Sequence, residues 1–226
     1  MELSRLGLEV KYLRRARGFY TNLGLEVDDE TDRAVSLDAG GTEVVLRRPS
    51  GLPRGGVHTH FALSTPTEEY GSWLSRLLDL GLSVSEYSFG EAKSAYFYDP
   101  DGHCVEIGAK DSEGEGITGI FEVVLEVEDL ERSEEFYESL GMEVYDRGDV
   151  RRRLRLDAGG FDLELWEPHL GIADARGGVH VEMGIEVESL DGLEETEEKA
   201  CWVSENSDGS VVIRDPDGHY LRLSEV

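Results

Sequence analysis

The sequence predicts an α+β chain of four modules, each a strand, a helix and three further strands (βαβββ). Three observations predict it. Motifs of the first half return in the second: Leu-Gly-Leu-Glu-Val at 23–27 as Leu-Gly-Met-Glu-Val at 140–144, Asp-Ala-Gly-Gly at 38–41 and 157–160, Arg-Gly-Gly-Val-His at 54–58 and 176–180, and Asp-Pro-Asp-Gly-His at 99–103 and 215–219. Each half divides again, because Leu-Gly-Leu-Ser-Val at 80–84 resembles 23–27. Within a unit the apolar period switches from two to a helical stripe and back. The modules fall at 2–49, 55–110, 117–168 and 177–226. Two domains, 1–110 and 117–226, are expected, joined by the polar, glycine-rich stretch 110–116.

Module one carries a basic helix with Arg14, Arg15 and Arg17, and the core pair Phe19 and Tyr20. In module two, 57–64 is expected as a strand and 67–80 as a helix bearing Tyr70, Trp73, Leu74, Leu77 and Leu78, stopped by Gly81. Strands follow near 83–88, 93–98 and 103–108. Asp99-Pro100-Asp101-Gly102 suits a type I turn between the last two. The clearest unit is module three. Residues 120–127 alternate, with Val123, Leu125 and Val127 on one face and Glu122, Val124 and Glu126 on the other. Asp129 and Ser133 offer N-cap chemistry, Leu130, Phe136, Tyr137 and Leu140 form the stripe, and Gly141 ends the helix. Strands follow near 143–147, 150–156 and 161–166. Module four repeats the order with a shorter, more acidic helix at 190–199.

Composition narrows the function classes. The chain has 226 residues and a net charge of −27, with 49 acidic residues against 22 basic ones, and only Lys11, Lys93, Lys110 and Lys199 are lysines. Such a surface repels nucleic acid. An acidic, lysine-poor chain that still folds points to a salt-rich, halophilic cytoplasm, where ions screen the self-repulsion. No apolar run is long enough for a membrane span, the N-terminus has no signal-peptide pattern, and Cys104 and Cys201 build no disulfide framework.

Function is sought where the modules differ. Strand parity assigns one equivalent position on the first strands to Arg5, His60, Glu122 and Glu182. The equivalent on the last strands is Val45, Glu106, Glu164 and Arg222. Residues 122–144, and Tyr96-Phe-Tyr-Asp-Pro-Asp-Gly-His-Cys-Val-Glu106, resemble the glyoxalase/bleomycin resistance/extradiol dioxygenase (vicinal oxygen chelate) superfamily. The resemblance implies modules paired into cupped mixed sheets, with a divalent ion held by these positions. Crossed pairing of modules two and three then collects His60, Glu106, Glu122 and Glu164 as metal ligands, with Glu106 and Glu164 catalytic and Glu106 doubling as base. The other cup receives Arg5, Val45, Glu182 and Arg222 and holds no such set. Nickel, manganese, iron, cobalt or zinc would suit one imidazole and three carboxylates.

The implied activity is that of a metal-dependent lyase or isomerase of glyoxalase type, acting on a small carbonyl or thiol adduct. Two alternatives stay open: an extradiol dioxygenase, and a non-enzymatic drug-binding relative of bleomycin resistance proteins. His58, Cys104, Tyr96 and Trp166 are further cleft candidates, although Cys104 also suits a small filler, and Tyr96, Tyr98 and Trp166 also suit rim packing. Arg151, Arg153 and Arg155 share one strand face and suit either an anionic substrate or surface ion pairs. His103 and His219 are expected as exposed turn residues. The partner is a small molecule, and the chain a monomer or homodimer.

Overall fold

The computed structural model describes residues 1–48, 58–90, 92–148, 152–168 and 181–226, without the side chains of His58, Thr59, Phe89 and Val181. Module one comprises β1 (Glu2–Glu9), α1 (Leu13–Leu23), β2 (Glu26–Glu30), β3 (Ala34–Ala39) and β4 (Thr42–Arg47). Module two comprises β5 (His58–Pro66), α2 (Tyr70–Asp79), β6 (Ser85–Phe89), β7 (Ala92–Tyr98) and β8 (Cys104–Lys110). Module three has β9 (Gly119–Glu126), α3 (Leu130–Ser139), β10 (Glu143–Arg147), β11 (Arg153–Asp157) and β12 (Asp162–Trp166). Module four has β13 (Val181–Val187), α4 (Glu194–Lys199), β14 (Trp202–Glu205), β15 (Val211–Arg214) and β16 (Tyr220–Glu225).

The repeated Leu-Gly pair is a helix stop in three modules. Gly24, Gly81 and Gly141 follow α1, α2 and α3 with φ of 121°, 75° and 93°, a region that costs a side chain energy. At the other end of α3, Asp129 Oδ1 accepts from the Glu131 and Arg132 amides at 3.1 and 3.2 Å. Helix α4 is shorter than the expected 190–199. The Asp191-Gly192 pair, with Gly192 at φ 87°, holds a turn ahead of it.

The modules pair crosswise. One eight-stranded mixed sheet runs β14-β15-β16-β13-β1-β4-β3-β2, from modules four and one; the other runs β10-β11-β12-β9-β5-β8-β7-β6, from modules three and two. Each centres on two antiparallel first strands, β1 with β13 and β5 with β9, each flanked by its own module's last strand in parallel. Each sheet thus draws four strands from either half of the chain.

Period-two alternation sorts the faces. In the second sheet Phe61, Leu63, Val105, Ile107, Val123, Leu125, Leu163 and Leu165 are buried in one core with helix residues Tyr70, Trp73, Leu77 and Phe136. Each such side chain contributes about 1.5–3 kcal/mol on burial. Their strand neighbours His60, Glu106, Glu122 and Glu164 are thereby turned to the opposite face.

The Asp-Pro-Asp-Gly-His turns form, with Gly102 N donating to Asp99 O at 3.2 Å and Gly218 N to Asp215 O at 3.1 Å. They do more than join strands. Asp99 Oδ2 accepts from Tyr20 of α1 at 3.0 Å, and Asp215 Oδ2 from Tyr137 of α3 at 2.8 Å. Each of these bonds ties a turn of one sheet to a helix of the other sheet's module. The expectation that His103 and His219 are exposed is corrected: both are fully buried. Their Nε2 atoms lie 3.0 Å from Glu9 O and 2.8 Å from Glu126 O, again across the two sheets.

Candidate metal centre

Four adjacent strands, β12, β9, β5 and β8, bring the sequence candidates to one cleft. His60 Nε2 lies 3.3 Å from Glu106 Oε2 and 3.7 Å from Glu122 Oε2. Ligand atoms of these three residues all fall within 4.8 Å of one another, and all three side chains are buried. Tyr96 and Trp166 meet the imidazole edge-on, with ring centroids 5.4 and 5.8 Å away.

The electrostatics of the cluster call for a cation. Burial opposes a charged imidazole, yet hydrogen bonds and attraction from Glu106 and Glu122 outweigh it, and the pKa of His60 rises from 6.5 to about 9. Burial likewise pushes the Glu106 carboxyl up, but His60, then Ser94 and Tyr96 as hydroxyl donors, bring it below the ordinary glutamate value. The Tyr96 hydroxyl stays protonated, through burial first and the Glu106 charge second, and so remains a donor. Glu106 Oε2 is wholly buried, with His60 Nε2 at 3.3 Å. A buried carboxylate oxygen beside an imidazole and a second carboxylate fits a divalent ion.

Glu164 sits in the same cleft but in other company. Its Oε1 accepts from Arg153 Nη1 at 2.7 Å and from Arg155 Nε at 3.1 Å. Arg155 Nη2 also reaches Glu122 Oε1 at 3.0 Å, and Arg153 pairs with Asp146 at 2.8 Å. The other candidates divide. Tyr96 and Trp166 line the cleft. Cys104 is buried, its thiol pushed up to about 12 by burial and then by Glu106. Tyr98 is largely exposed. Arg151 and the side chain of His58 lie outside the described residues.

The cleft has a volume of about 480 Å³. Some of its wall was not foreseen from the sequence. Lys110 Nζ stands 3.8 Å from the centroid of the Phe121 ring. Gly108 admits that ring: a Cβ there would lie 2.8 Å from Phe121 atoms and 3.5 Å from Glu106 Oε1. Parity could have found Ser94 as a Glu106 donor, since it shares a strand face with Tyr96, which is directly opposite Glu106.

The equivalent place in the other sheet is closed by ion pairs. Glu182 Oε2 accepts from Arg47 Nη1 and Glu182 Oε1 lies 3.5 Å from Arg222 Nε, while Arg5 pairs with Glu43 at 3.2 Å.

Residues 2–107 match the model of the Glyoxalase/Bleomycin resistance protein/Dioxygenase superfamily. Over those residues, its first two modules, the chain is similar to that superfamily. Within it, a catechol-2,3-dioxygenase of Bacillus subtilis is 34% identical over 111 residues, 45% of this chain and 39% of that protein. A metallothiol transferase, FosB, of Staphylococcus saprophyticus is 26% identical over 112 residues, 46% of this chain and 74% of that protein. The chain therefore spans well under half the length of the dioxygenase it matches. Two solved structures cover it nearly whole. A putative dioxygenase from Bacillus subtilis has a TM-score of 0.77 at 17% identity, covering 100% of this chain and 85% of its own. Glyoxalase I from Zea mays has 0.72 at 20%, covering 99% and 92%. At such identities the likeness is one of fold, and the reaction is left to be argued from the site.

Proposed function

We propose that the chain is a divalent-metal-dependent lyase or isomerase of glyoxalase type, acting on a small carbonyl compound or its thiol adduct, with the ion held by His60, Glu106 and Glu122. The observation that carries this reading is the buried grouping of His60, Glu106 and Glu122, whose ligand atoms all lie within 4.8 Å of one another. A bound divalent ion would polarise substrate oxygens. The chain's own residues supply the rest. Aromatic walls at Tyr96 and Trp166 limit water around His60. Glu106, steadied by the Ser94 and Tyr96 hydroxyls, is placed to hold a proton moving between neighbouring substrate carbons. Lys110, at the cleft wall, offers a positive charge to an anionic substrate group.

Stripping the protein with EDTA and titrating Ni²⁺, Co²⁺, Zn²⁺ or Mn²⁺ by calorimetry tests the reading. One ion per chain is expected, with His60→Ala weakening uptake at least about 100-fold, as loss of a ligand implies. No uptake by the wild-type protein would overturn it.

The 34% identity to a catechol-2,3-dioxygenase favours a second reading, extradiol cleavage. By its resemblance that chemistry uses two imidazoles, and His58, two residues before His60 on β5, is the second histidine of the strand. Oxygen consumption with catechols and Fe²⁺ separates the two reactions.

A further inference from the structure

Glu106 and Glu164 hold equivalent places on the last strands of modules two and three, yet their neighbours differ in kind. Directly across from Glu106 in the ladder is Tyr96, and directly across from Glu164 is Arg155. Two residues before these partners stand Ser94 and Arg153. The same two positions thus carry neutral hydroxyls beside Glu106 and guanidiniums beside Glu164. In module one the carboxylate's place is taken by Val45, and its register partner is Ser36, preceded by Ala34. The arginine pair occurs in the module where a fourth carboxylate faces the cleft.

We infer that Arg153 and Arg155 are positioning residues that hold Glu164 out of the metal's coordination sphere, so that the ion takes three protein ligands. The inference rests on the metal-binding reading above. Glu164 Oε1 receives two guanidinium donors, at 2.7 and 3.1 Å, and a carboxylate held this way is a poor donor to a second cation. Arg155 also grips Glu122 Oε1 at 3.0 Å, which leaves Glu122 Oε2 toward His60. One guanidinium therefore orients a ligand and restrains a competitor. Asp146, on the outer strand β10, anchors Arg153 at 2.8 Å and steadies the pair. With Glu164 held away, the part of the cleft lined by Arg153, Arg155 and Trp166 would stay free for a substrate oxygen to reach the ion.

The test is a coupling measurement on the full chain, with Co²⁺ as the probe. Affinity comes from competition with a chelator, and geometry from the visible absorption of bound Co²⁺. In the wild-type background Glu164→Gln is expected to change the affinity less than about threefold and leave the spectrum unchanged, whereas Glu122→Gln costs about 100-fold or more. In Arg153→Gln/Arg155→Gln the released Glu164 joins the ion. Affinity rises and the Co²⁺ bands weaken as coordination number increases. Adding Glu164→Gln then costs at least about 30-fold, far more than in the wild type.

Removing two positive charges tightens cation binding on its own, but that effect leaves the cost of Glu164→Gln the same in both backgrounds. An equal cost in both, or a loss in the wild-type background as large as that of Glu122→Gln, overturns the inference. Absence of Co²⁺ uptake by the wild type overturns the metal reading itself, and this inference with it. Should the double glutamine variant fail to fold, wild type against Glu164→Gln decides alone. An unchanged affinity and spectrum support the three-ligand set, and a weakened, altered centre defeats it.

Discussion

Glu182 and His60 occupy equivalent positions in the two sheets, and both are buried. Each environment supplies a different cation. Beside Glu182 it is tethered, as the guanidiniums of Arg47, Arg222 and Arg5; beside Glu106 and Glu122 it is the His60 proton, or an ion in its place. Burial pushes the Glu182 carboxyl up, but Arg47 foremost, then Arg222 and Arg5, bring it below its ordinary 4.5. A depressed folded-state pKa stabilises the fold fully above the ordinary value and progressively less as pH falls from there through the depressed one. Glu182→Gln is therefore expected to cost about 2 kcal/mol at pH 7, a buried charge pair being broken on one side. The gap from wild type in urea unfolding should narrow as pH drops below about 4, and a gap independent of pH would refute the assignment. His60, Glu106 and Glu122 were legible in the sequence because strand parity alone sets which face a side chain takes. The guanidinium partners of Glu164 were not, because alternating arginines read equally well as surface ion pairs or substrate contacts.

At the scale of elements, the duplicated turns couple the sheets. Their local shape was readable from Asp-Pro-Asp-Gly, since proline and glycine set the backbone there. Their reach was not. The Tyr20–Asp99 and Tyr137–Asp215 bonds span 79 and 78 residues of chain, and the burial of His103 and His219 follows from carbonyls on strands of the opposite sheet. No local periodicity encodes such contacts. Tyr137→Phe leaves Asp215 Oδ2 without its phenol donor at almost no change in volume. The expected loss is about 1.5–3 kcal/mol in urea unfolding, as for hydrogen bonds to charged groups. Tyr20→Phe should cost a similar amount. Losses below about 0.5 kcal/mol in both would mean that these bonds do not hold the sheets together.

At the scale of the molecule, the order βαβββ was legible in all four modules, because each repeats one switch of period and one helix stop. The crosswise pairing was reached through the superfamily resemblance, by asking which grouping of the ligand positions it implies brings one imidazole and several carboxylates together. The net charge of −27 belongs to this scale as well. Screening of like charges predicts that the thermal midpoint climbs as KCl is raised from about 0.01 M, where the Debye length is near 30 Å, to about 1 M, where it is near 3 Å. A midpoint insensitive to salt would dismiss adaptation to a salt-rich cell interior.

Either half of the chain alone carries two four-stranded sheets that each end on a first strand, β1 and β5 in one half and β9 and β13 in the other. Those strands lie at the middle of the two sheets, with Leu6, Leu8, Phe61 and Leu63 wholly buried. In a separated half they become raw edges, with unpaired amides and carbonyls ready to accept any copy of themselves. Joining the halves therefore protects the chain from its own kind. It also lets the two cups diverge, because each is now lined by two different modules and need not match the other.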